Sequence, residues 1–67
     1  MAYYYFIATV GSKIAVTTDR AGANLPPIRS GGWQFVQTLV LLDVVRGAEP
    51  AEILRAIERD GFWIGAN

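Results

Sequence analysis

WQFVQTLVLLDVV, residues 33–45, is the stretch on which the fold turns. As a single strand it would run about 43 Å at roughly 3.3 Å per residue. A globule of 67 residues is only about 28 Å across if its radius of gyration is about 11 Å. The segment must therefore bend, break or coil into a helix. Arg46, Gly47 and Pro50 supply helical stop signals behind it. Against a helix, its apolar residues fall on all sides of a helical wheel and Asp43 lands among them. Val36, Thr38, Val40, Val44 and Val45 are also β-branched, which suits a pleated sheet better. The reading adopted is a strand from Trp33 to about Leu41 followed by an irregular turn, with a helix as the alternative.

Upstream, Tyr3 to Val10 is rich in aromatic and β-branched residues, Gly11-Ser12 follows, and Ile14, Val16 and Thr18 then alternate with their neighbours. This predicts a β-hairpin closed by a two-residue Gly-Ser turn of type II′, with Gly11 at the positive φ. That turn would set Ile7 opposite Val16, Phe6 opposite Thr17 and Tyr4 opposite Asp19. Tyr3, Tyr5, Ile7, Ile14 and Val16 then share one face, read as core. Tyr4, Phe6, Ala8, Lys13, Thr17 and Asp19 share the other, which is mixed. Residues 20–32 hold Gly22, Pro26, Pro27, Gly31 and Gly32 and form a long loop, read first as a crossover between sheet edges.

Downstream, Pro50 suits the first helical position, Glu49 and Glu52 place negative charge at the positive end of the dipole, and Ile53, Leu54 and Ile57 make an apolar stripe. Gly61 supplies a left-handed stop, and Arg55 is spaced to pair with Glu52 or Glu58. Phe62-Trp63-Ile64 reads as a closing strand. The expectation is a single α+β domain over residues 1–67, ordered β-β-β-α-β, with β-β-α-α-β as the alternative. One helix covers only one face of such a sheet, so the other face is expected to need a partner.

The chain contains neither histidine nor cysteine. Ser-His and Cys-His nucleophile pairs are therefore absent within one chain, and so are a disulfide and the usual structural zinc ligands. No cofactor is expected. Short domains commonly need such a staple, and with 52% of residues apolar oligomerisation is the one that fits. Six basic residues balance six acidic ones, so the overall field that draws proteins to nucleic acid or anionic lipid is missing. The apolar N-terminus has no basic lead-in and no apolar run nears the roughly 20 residues a bilayer requires. A cytoplasmic protein with no membrane partner is expected.

Asp19 and Arg20, with Tyr4 expected across the hairpin, form the best-placed polar cluster, read as a strand-end ion pair rather than a catalytic group. Gly11-Ser12-Lys13 lacks the spaced glycines of a phosphate loop. Residues 53–62, a helix, an Asp-Gly turn and an aromatic strand, resemble the corresponding join in small bacterial toxins of the double-stranded-RNA-binding fold. Those toxins use a histidine, so the resemblance transfers no residue here. The functional expectation is a non-catalytic interaction or assembly module, homodimeric through the sheet face left open. Its contacts would be Tyr4, Phe6, Thr17, Asp19, Arg20 and Trp33, with a homo-oligomer or another protein as partner. The alternative is a single-stranded nucleic-acid binder stacking bases on Tyr4, Phe6, Trp33 and Trp63 beside Arg20 and Arg29, which zero net charge disfavours.

Overall fold

The computed structural model describes residues 2–28, 31–42, 45 and 48–66. Its elements are β1 (Tyr3–Ala8), β2 (Lys13–Thr17), β3 (Trp33–Leu39), α1 (Pro50–Asp60) and β4 (Phe62–Ala66). This is the β-β-β-α-β order of an α+β chain, and the strands form one antiparallel sheet ordered β3-β1-β2-β4. The decisive stretch is thus a strand that breaks, and the two-helix alternative is set aside. β3 stops after seven residues, which keeps it inside a molecule 30 Å in its longest dimension. Beyond it Leu42 and Val45 turn back into the core, joined by a hydrogen bond from Val45 N–H to Leu42 O at 3.2 Å.

The hairpin register differs from the one a Gly-Ser turn would impose. Tyr4 lies opposite Thr17, Phe6 opposite Ala15 and Ile7 opposite Ile14, a shift of two residues that leaves residues 9–12 in the turn. Because side chains alternate with period two, a two-residue shift keeps every side chain on its face, and hydrophobic pattern alone does not choose between the registers. Thr9 is instead engaged on the β3 side. Its N–H donates to Gly32 O at 2.8 Å, and its hydroxyl oxygen accepts from Gly32 N–H at 2.9 Å.

The helix has the expected bounds. Pro50 opens it, Glu52 and Arg59 complement its dipole, and Gly61 closes it at φ 88°, donating its N–H to Ile57 O at 2.8 Å. Its buried side is Ile53 with Ala56 and Ile57, whereas Leu54 faces outward. Among the described residues the ion pair is Arg59 with Asp60 at 3.0 Å, not Arg55 with Glu52 or Glu58. The helix stands over β4 and β2. Between helix and sheet lie Ile14, Val16, Ile53 and Trp63, joined by Leu39, Leu42 and Val45 and flanked by Tyr3, Tyr5 and Ile7. Full burial of an aliphatic side chain such as Ile14, Val16 or Ile53 contributes about 1.5–3 kcal/mol.

The opposite face is not left open. Residues 18–28 of the crossover run over it from β2 past β1, and Leu25 packs with Phe6 and Ala15 into a second cluster bordered by Tyr4, Trp33, Phe62 and Ile64. The sheet is therefore covered on one side by a helix and on the other by a loop.

Candidate functional site

Polar residues tie the loop down. Asp19 begins the crossover with its N–H donating to Thr17 Oγ1 at 3.1 Å and its side chain accepting from Ala21 N–H at 2.9 Å, a local turn that Asp favours. Gly22 N–H donates to Asp19 O, and Leu25 N–H to Gly22 O. Gly22 itself has φ 68°, and a Cβ built on it would stand 2.8 Å from Phe6 Cζ. Only glycine both adopts that backbone and admits the ring beneath it. The fully buried Thr17 donates its hydroxyl to Asn24 Oδ1 at 2.8 Å, and Asn24 Nδ2 donates to Gly61 O at 3.0 Å. At the far end the Trp33 indole N–H donates to Pro26 O at 2.8 Å.

These contacts relocate the six candidate residues. Phe6, only 4% exposed, and Thr17 lie inside the chain beneath the loop. Tyr4 and Trp33 are half-buried at the margin of the same cluster. Asp19 is spent on its own turn and Arg20 is exposed. Tyr4 lies opposite Thr17, not Asp19, so the Tyr4-Asp19-Arg20 cluster is not assembled. The correction has one physical source: Leu25 and the Gly22 turn let a Gly/Pro-rich loop act as a layer, covering the face that one helix leaves bare. Nor does a base-stacking surface form from Phe6 and Trp63, both buried; Arg29 lies outside the described residues. Among the described residues no three acidic side chains converge as a metal site, and no helix is long and apolar enough to cross a membrane.

Of the exposed large apolar residues, Val10 sits in the hairpin turn and Leu54 on the helix, and the other four lie in or just beyond β3. Among the described residues this strand is one edge of the sheet, with β1 as its neighbour. Phe35 is 48% exposed, Val36 44%, Val40 75% and Leu41 66%. Phe35 rests edge-on against Phe6 with ring centroids 5.7 Å apart, so a buried ring fixes the orientation of an exposed one. The pairing shifts between Tyr5 and Phe6, with Phe6 opposite Phe35 and Tyr5 opposite Gln37, which leaves Val36 as the extra residue of a β-bulge. No charged residue occurs from Trp33 through Leu42. Charges and prolines commonly protect open edges; β3 itself carries neither, and the device it shows is the bulge. The sequence carried the signal in that charge-free run, but edge position is decided by strand order, which periodicity does not reveal.

The chain matches no protein-family model, no curated protein and no solved structure.

Proposed function

We propose that the chain is a non-catalytic assembly module whose copies join through the apolar β3 edge as a homodimer. The cytoplasmic setting expected from composition belongs to the same proposal. The observation that carries it is the exposure of Phe35, Val36, Val40 and Leu41 on and just beyond a charge-free edge strand. Exposed apolar residues gathered along one edge mark interaction sites in small proteins, and an aromatic held in place by a buried neighbour is a suitable anchor. The interface moves from the hairpin face to the sheet edge because the loop occupies the former.

The test is solution mass by light scattering after size exclusion, at two concentrations and at low and high salt, for the wild type and Phe35→Lys. The expected result is a dimer that survives high salt, since apolar association does not weaken by screening. The variant should dissociate at least about 30-fold more readily, the loss typical of a central aromatic anchor. A wild-type monomer at both concentrations, or a dimer indifferent to Phe35→Lys, refutes the assignment.

A further inference from the structure

The opposite edge of the sheet is built differently. β4 pairs with β2 and, among the described residues, has no strand on its other side. Which of its backbone groups remain unpaired follows from the ladder. Thr9 N–H donates to Gly32 O, and since Ala8 lies opposite Trp33, Thr9 and Gly32 face each other as a hydrogen-bonded pair. Successive residues of an antiparallel strand turn their N–H and C=O to alternate sides. Tyr5 and Ile7 therefore bond toward β3, and Tyr4 and Phe6 toward β2. With Phe6 opposite Ala15, Ala15 bonds back to β1 while Ile14 and Val16 bond toward Gly65 and Trp63. Phe62, Ile64 and Ala66 then turn their N–H and C=O outward.

Of these three, Phe62 and Ile64 border a groove of about 440 Å³ between β4 and α1, with Arg55, Ala56 and Arg59 on the helix side, and Ala66 lies next along the same edge. Glu52 and Asp60 are the first and last helical residues of the groove lining. They stand eight positions apart, about 12 Å at 1.5 Å per residue, which matches three to four residues of extended chain. The small Ala56 leaves room at mid-groove. Among the described residues Arg59 pairs with its chain neighbour Asp60, both well exposed, an arrangement that costs little to exchange. Arg55 has no carboxylate within 4.0 Å among the described residues. Two guanidiniums one turn apart thus flank a strand edge whose hydrogen bonds are unmade.

We infer that this groove takes an extended acidic peptide segment as a fifth strand along β4. Its main chain bonds to Phe62, Ile64 and Ala66, and a side-chain carboxylate lies against Arg55 and Arg59. Strand addition of this kind draws affinity from the main chain and selectivity from alternate side chains, and the guanidinium fork suits carboxylate. A second copy's β3 is not the occupant, because its charge-free run offers the arginines nothing. A phosphate polymer is not favoured either, since it carries no alternating main-chain N–H and C=O groups to pair with the open strand edge.

The experiment titrates isotope-labelled protein with a blocked hexapeptide alternating valine and glutamate, following backbone amide shifts. A valine-lysine peptide and a copy N-methylated at alternate bonds serve as comparators. The expected result is saturable shifts at Phe62, Ile64 and Ala66 by the glutamate peptide, at least tenfold weaker binding to the exposed-residue variant Arg55→Glu with Arg59→Glu, and loss on N-methylation. Repeating the titration on Phe35→Lys should leave the shifts in place, which separates this groove from the β3 interface. No binding, shifts confined to β3, equal binding of the lysine peptide, or indifference to the arginine changes overturns the inference.

Discussion

Replacing Gly22 with alanine sets a methyl group where the Phe6 ring stands. The backbone at this position has φ 68°, and the added Cβ would meet Phe6 Cζ at 2.8 Å, Phe6 Cε2 at 3.0 Å and Leu25 Cδ1 at 3.3 Å. Left-handed backbone costs a residue with a side chain roughly 1–2 kcal/mol, and forcing an extra methyl into a packed core costs about 1–3 kcal/mol. The reduced freedom of the unfolded chain returns about 0.4–1 kcal/mol. The net loss is therefore about 1–5 kcal/mol, equivalent to a fall in Tm on the order of 5–35 °C for a domain of this size. Urea denaturation at fixed protein concentration should show it as a lower midpoint with an unchanged slope. Phe6→Leu removes the ring atoms that clash, so in that background Gly22→Ala should cost only the backbone part, and the cycle should show coupling of about 1 kcal/mol or more. A midpoint within 0.5 kcal/mol of the wild type, or strict additivity with Phe6→Leu, would refute the claim that the loop is packed on the ring as a layer of the core.

Three further outcomes follow from the same geometry. A Cβ at Gly65 would overlap the Trp63 indole, which lies across this glycine, so Gly65→Ala should push the indole out of its buried position, with a red shift of tryptophan emission and a loss of about 1–3 kcal/mol. Thr17→Val leaves Asn24 and Asp19 N–H without the hydroxyl they share and should cost about 1–3 kcal/mol by urea denaturation. Trp33→Phe deletes the bond to Pro26 O and should cost about 1 kcal/mol, with faster amide exchange in the loop.

The elements with local signals were legible in the sequence. Pro50 at the start and Gly61 at the end bracket the helix because each satisfies a demand of the backbone on the spot, and the length of residues 33–45 alone rules out a single strand. The core face of the hairpin was also readable, since Tyr5, Ile7, Ile14 and Val16 alternate. The register was not, because a two-residue slip preserves that alternation and the competing choice lay in Thr9 bonding Gly32 across 23 positions. The site failed for a related reason. Phe6 on a mixed face looks like a contact until Leu25, nineteen residues later, is found on it. Phe35, which the structure exposes, was indistinguishable in the sequence from a core residue.

The strand order β3-β1-β2-β4 also bears on how the molecule assembles and comes apart. Its central pair is the most sequence-local contact in the sheet, a hairpin closed by a few residues, whereas each outer strand must return across a loop or a helix. Hairpins form in about 1–10 μs, and more distant pairings follow more slowly. The first seventeen residues are thus placed to act as a template to which two wings attach from opposite sides. Each wing is able to detach while the other stays docked. Amide exchange should be slowest at the β1–β2 seam and quicker in both flanking strands, so the surfaces proposed for partners sit on the parts of the protein that open first.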